Sequence, residues 1–129
     1  MTPPWIPVLL MLVDEVHDGD TIYGRIDHGV GVETKGPGRW GFRIAGLNCR
    51  ELAKPGGGEA RDYLRSLVPV GARLPFESLE WDKYGGRLDV RLSLPGVGDL
   101  AEHLIAEGWA ARWNGRGTAP VPPWPRVAP

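Results

Sequence analysis

Apolar and polar positions alternate with a two-residue period through most of this chain and switch to a helical period in two short stretches. Residues 8–16 are rich in aliphatic side chains and stop at an acidic turn, which predicts a buried first strand. Residues 21–26 alternate as a half-buried strand does. In 39–47, Trp40, Phe42 and Ile44 share one face while Arg39, Gly41, Arg43 and Ala45 share the other. Arg43 is therefore expected to point away from the apolar face, and in a small barrel such a face can meet a ligand. Between the second and third strands, residues 28–38 are rich in glycine and polar residues and read as a hairpin loop.

Residues 48–58 contain Pro55-Gly56-Gly57-Gly58 and are expected to form a mobile loop. Ala60, Tyr63, Leu64, Leu67 and Val68 then recur at helical spacing until Pro69 stops the helix. Residues 72–79 read as a strand, assigned to a sheet edge because of Pro75. Asp82-Lys83-Tyr84-Gly85-Gly86 reads as a turn, and 87–94 as a fifth strand with clean alternation. Asp99 with Glu102 resembles a capping box, and Leu100, Ala101, Leu104 and Ile105 give the next helix its inner face before Gly108 closes it. Residues 115–129 hold five prolines and are expected to be extended or disordered. Three strands, a helix, two strands and a helix make the plan of a five-stranded barrel. The expected class is mainly β with two packed helices (α+β): one domain over 1–117, then a proline-rich tail over 118–129.

Composition narrows the picture. With 129 residues and 42% hydrophobic content, the chain suits one domain with a real core. A net charge of −1 means that any phosphate-binding surface is local rather than global. The lone Cys49 allows no intrachain disulfide. The apolar run at 5–13 is far short of the ~20 residues of a membrane span. It also has no basic residue before it and no small-residue cleavage site after it. A cytoplasmic protein is expected.

Chemistry-bearing residues fall in three clusters: Asp18-Gly19-Asp20-Thr21, then Arg43 with Asn48-Cys49-Arg50-Glu51, then Asp82-Lys83-Tyr84-Gly85-Gly86-Arg87. Breaking a phosphodiester takes an activated water and neutralisation of charge on the phosphoryl oxygens. Asp20 is a hard-cation ligand fixed by the strand that follows, and Glu51 on its loop is a candidate general base. Arg43 and Arg87 donate paired hydrogen bonds to a phosphate, which Lys83 does not. Lys83 and Tyr84 are candidate nucleic-acid contacts, Tyr84 by donating a hydrogen bond to a phosphate, and Trp113 is a candidate base-stacking face. His17, His28 and His103 lack metal-ligand spacing. Asp14, Asp18 and Asp20 lack the glycine and terminal glutamate of an EF-hand. No triad signature accompanies Cys49 and His17.

In order and spacing these clusters resemble the staphylococcal-nuclease-like (thermonuclease) family. Gly58-Glu59-Ala60 and Leu104-Ile105-Ala106-Glu107-Gly108-Trp109-Ala110 add to the likeness, which covers about residues 8–117. The resemblance implies an OB-fold and calcium-dependent cleavage of DNA or RNA; a single-stranded or frayed substrate and a monomer with no protein partner are expected. It makes Asp20, Asn48 and the Cys49 carbonyl the metal ligands, and Glu51 the carboxylate that activates water. It makes Arg43 and Arg87 the phosphate-binding arginines. Three positions depart from the family pattern: Asn48 stands at an aspartate, Arg50 at a proline, and Gly86 delays Arg87 by one residue. These departures keep open a second reading, a non-catalytic OB-fold module that binds nucleic acid.

Overall fold

Each alternating stretch has one apolar face, and five of them bury those faces at once by rolling into a closed ring. The computed structural model describes residues 9–27, 33–34, 40–81 and 87–123. In chain order the elements are β1 (Leu9–Val16), β2 (Thr21–Asp27), β3 (Glu33–Thr34), β4 (Trp40–Ile44), β5 (Leu47–Cys49), α1 (Gly57–Leu67), β6 (Arg73–Trp81), β7 (Arg87–Leu94), β8 (Gly98–Asp99), α2 (Leu100–Ala106) and β9 (Ala110–Arg112). Strands β1, β6, β7, β4 and β2 are hydrogen-bonded in that order, and β2 returns to β1. The β4–β7 pair is parallel and the other four are antiparallel. The result is a closed five-stranded barrel with two helices, the expected α+β class, in an arrangement compatible with an OB-fold.

The ring is filled by alternate residues. Met11, Val13, Ile22, Phe42, Val90 and Leu92 are fully or almost fully buried. Phe42 meets Phe76 edge-on, with ring centroids 5.3 Å apart. Helix α1 adds Ala60 and Leu64 to the buried set, and α2 adds Leu100 and Leu104. A shift of register between Val13 and Glu15 leaves Asp14 as an extra residue in β1, a bulge that bends the strand around the barrel. The Asp14 carboxylate then takes both Nε and Nη2 of Arg25, at 3.3 and 3.0 Å.

Several local expectations change. The third strand does not run through to Leu47. It ends at Ile44, turns at Ala45 and Gly46, and restarts as β5, which pairs with β9 in a separate two-stranded sheet. The start of the expected mobile loop is thus strand. The rest is closed by turns in which Lys54 N donates to Glu51 O and Gly57 N to Lys54 O. Strand β6 is not an edge strand, because closure gives it neighbours on both sides. Pro75 is tolerated because its ladder to β7 starts only at Phe76, so at Leu10↔Pro75 just β1 lies alongside. Asp99 occupies the N-cap of α2 without a side-chain cap bond. Its backbone is committed to β8, opposite Ser93.

The loop at 28–38 falls largely outside the described residues, as does the 82–86 turn with Lys83 and Tyr84. The described part of the tail, to residue 123, has no regular secondary structure. Among the described residues no helix is long and apolar enough to cross a membrane.

Phe42→Ala should destabilise the fold by about 3–5 kcal/mol, because it removes a fully enclosed ring from the centre of the barrel. Urea unfolding followed by tryptophan fluorescence measures it, and a loss under about 1 kcal/mol would contradict the packing described.

Candidate functional site

The mouth of β2 and the end of β4 meet at one end of the barrel. Thr21 pairs with Arg43, and Ile44 N donates to Asp20 O at 2.9 Å. The turn before β2 is closed by its own polar groups. His17 N and Asp18 N both donate to Thr21 O, and Asp20 N donates to Asp18 Oδ1 at 3.1 Å, an Asx turn. Gly19 is needed for close approach: a Cβ there would stand 2.9 Å from Cys49 Cβ and 3.1 Å from Ala60 Cβ. Glycine at this position lets β5 and α1 close onto the turn.

Closure buries Asp20, which is 8% exposed. Thr21 Oγ1 donates to its Oδ1 at 3.2 Å, and Cys49 N donates to its Oδ2 at 3.3 Å. Burial chiefly, then the hydrogen bond and charge of the Asp18 side chain, push the Asp20 carboxyl up to about 7. The Arg43 guanidinium and the Cys49 N–H pull the other way. The Asp18 side chain thus adds to what burial does to the Asp20 carboxyl. Cys49 Sγ donates to Gly19 O at 3.2 Å. Burial first, then the charges of Asp20 and Asp18, raise the thiol far above its ordinary range, so it stays protonated and is no nucleophile.

Arg43 lies on the outer face of β4. Its guanidinium carbon sits 5.4 Å from the centre of the Trp113 ring, within cation–π range. Trp113 is fixed in turn, its N donating to Gly46 O at 2.9 Å and its Nε1 to Arg116 O at 2.8 Å. Arg43, Leu47, Asp89, Trp113 and Asn114 border a recess of about 200 Å³. In the parallel ladder Gly41 faces Arg87 and Arg43 faces Asp89. Arg87 thus shares the outer face with Arg43, about two strand rises (~7 Å) along, and is exposed. The one-residue delay caused by Gly86 does not turn Arg87 into the core.

Asn48 and Cys49 are held by β5, opposite Ala111 and Ala110 of β9. The Asn48 amide Nδ2 donates to Pro120 O at 3.0 Å. Glu51 follows two residues after Cys49 and is exposed. Its backbone is pinned by helix α1: its carbonyl would lie 1.9 Å from a Cβ at Gly57, so only glycine lets the helix begin there.

The fold therefore gathers Asp20, Cys49 and Arg43, with Asn48 next in the strand and Trp113 under the arginine. Glu51, two residues past Cys49, and Arg87, on the outer face of β7, are both exposed. Among the described residues no three His, Cys, Asp or Glu side chains cluster as a metal cage would. Asp18 was not assigned a role from the sequence; its Asx-turn position two residues before Asp20 was the available signal. Asp89 and the tail carbonyls had no local signal, because strand pairing and docking bring them in from far along the chain. No family model matches the sequence, and comparison with curated proteins finds no match.

The raised carboxyl of Asp20 fixes a pH dependence. The unfolded chain loses this proton near the ordinary 3.8 and the folded chain only near 7. Stability from this group is full below about pH 4, falls as pH rises, and is lost above about 7; at ~1.4 kcal/mol per unit the cost is on the order of a few kcal/mol. The unfolding midpoint of the parent should drop between pH 5 and pH 8. In Asp20→Asn the drop should be much smaller, and an equal drop in both proteins would place the titration elsewhere.

Proposed function

We propose that this chain is a calcium-dependent nuclease that hydrolyses phosphodiester bonds in single-stranded or frayed DNA or RNA. The observation that supports this most is the buried Asp20 carboxylate within electrostatic reach of Arg43, whose guanidinium lies over Trp113. A desolvated carboxyl beside a second acid contributes little to a barrel as structure and much to a site that takes up positive charge.

The donor set suits a hard cation. Asp18, Asp20, the Asn48 amide oxygen and the Cys49 carbonyl all offer oxygen, the ligand chemistry calcium prefers. The held-up carboxyl of Asp20 is short of the positive charge that a dication brings. Asn48 contributes no charge, so affinity should be modest. Bound there, calcium would polarise a phosphoryl oxygen and lower the pKa of a coordinated water.

The chain's own side chains do the rest. Glu51 takes the proton of the attacking water as its oxygen bonds to phosphorus, the ester P–O bond opposite breaks, and the leaving alkoxide takes a proton from solvent. Arg43 and Arg87 donate to the non-bridging oxygens as their charge grows. Trp113, steadied by two hydrogen bonds, offers a face on which a base can stack.

One feature favours the second reading, a binding module without catalysis: Asn48 brings no charge, and with its Nδ2 tied to Pro120 O it offers a metal only its neutral Oδ1. The two readings separate in one assay. Digestion of denatured DNA should rise with added calcium and stop with chelator. Glu51→Gln should lower the rate by ~10²–10⁴ and Arg43→Lys by ~10²–10³. An inactive parent that shifts single-stranded DNA equally with and without chelator would establish the module instead.

A further inference from the structure

The described part of the tail is anchored at the edge of the candidate site. Asn48 Nδ2 donates to Pro120 O at 3.0 Å, and Arg50 Nη2 donates to Pro122 O at 2.9 Å. Both pairs are separated by the same 72 positions, so the tail runs alongside the chain at 48–50 in matched, parallel steps. Pro122 is buried, whereas Val121 between the two anchors is 74% exposed. Ala119 and Pro120 are half-buried, so the seated part of the tail spans 119–122 with Val121 turned outward.

The donors fit this ligand for a chemical reason. Pro120 and Pro122 have no N–H, so ordinary strand pairing with them is incomplete. At the two proline positions the segment offers only a carbonyl and a ring for recognition. Asn48 and Arg50 supply side-chain donors at the two-residue spacing at which those carbonyls recur. Asn48, Glu51 and Pro55 on one side and Ala119, Pro120 and Pro122 on the other enclose a recess of about 370 Å³. Proline's fixed φ means the segment loses little entropy on seating.

We propose that residues 119–122 are a built-in strap: a self-ligand seated in a groove for extended, proline-bearing segments, covering Asn48 and Arg50. Resting on the nuclease reading, the strap acts as a brake: it covers the Asn48 and Arg50 side of the recess and ties Asn48 Nδ2 to Pro120 O and Arg50 Nη2 to Pro122 O. A nucleic-acid strand would then approach Arg50 as a phosphate donor that the strap otherwise occupies.

The test uses the full chain and the synthetic peptide acetyl-Thr-Ala-Pro-Val-Pro-Pro-amide, residues 118–123, which spans the strap. Pro122→Asp puts a charge at a buried tail position and should unseat the strap. Pro120→Gly/Pro122→Gly keeps both carbonyls, releases the φ restriction, and lies wholly outside the barrel. A tethered segment competes at an effective concentration on the order of millimolar. The peptide should therefore bind the parent at least roughly tenfold more weakly than Pro122→Asp, with the double variant between them. The Asn48 side-chain amide signal in NMR should move in both variants and return as peptide is added. Equal peptide affinity in all three proteins, or an Asn48 amide that moves in neither variant, overturns the proposal. Calcium-dependent digestion is read in parallel. A faster Pro122→Asp that the peptide slows supports the strap as a brake. Peptide results as expected with no digestion by any variant sustain the strap and count against the nuclease reading alone.

Discussion

The parallel pairing of β4 with β7 is the constraint on which the rest of the molecule depends. It is short, residues 41–44 against 87–90, and it joins the two ends of an otherwise antiparallel sheet. A parallel ladder is slightly weaker per residue than an antiparallel one. What holds it is the apolar surface it encloses, Phe42 beside Leu88 and Ile44 beside Val90. With the ring closed, every inward position is spoken for, and outward positions on the same two strands become neighbours. Arg43, Arg87 and Asp89 share one face for that reason.

Closure also explains why Asp20 is buried. Its backbone carbonyl receives Ile44 N at the end of β4, while β5 and α1 press onto Gly19 beside it. A carboxylate so placed is costly, and the cost is raised by Asp18 two residues earlier. An apolar residue would serve the barrel better. Two acids placed together beside an arginine are the local conflict between stability and chemistry from which the proposed function is argued.

The mini-sheet of β5 and β9 supports this end of the barrel. It positions Asn48 and Cys49, it leads into Trp113 under Arg43, and it carries the chain on to the residues that return over Asn48 and Arg50. One short non-local pairing therefore sets the aromatic face, the Cys49 N–H that meets Asp20, and the anchorage of the tail.

The periodicity of the chain determined the five barrel strands, both helices and the inward faces of Phe42, Ile44, Leu64 and Leu104. Burial of one face per element is a local demand that a sequence carries openly. The outward direction of Arg43 followed from the same alternation. The break after Ile44, the tolerance of Pro75 inside a closed ring and the uncapped Asp99 were not legible, because each depends on which strand lies alongside. The chemistry was half legible. Acid and arginine types could be named from their turns and strands, yet the burial of Asp20, the seat of Arg43 on Trp113 and the docking of Pro120 and Pro122 arise only when distant segments meet. Residue type and spacing are properties of the chain. Desolvation, contact and competition for a hydrogen bond are properties of the space the closed barrel creates.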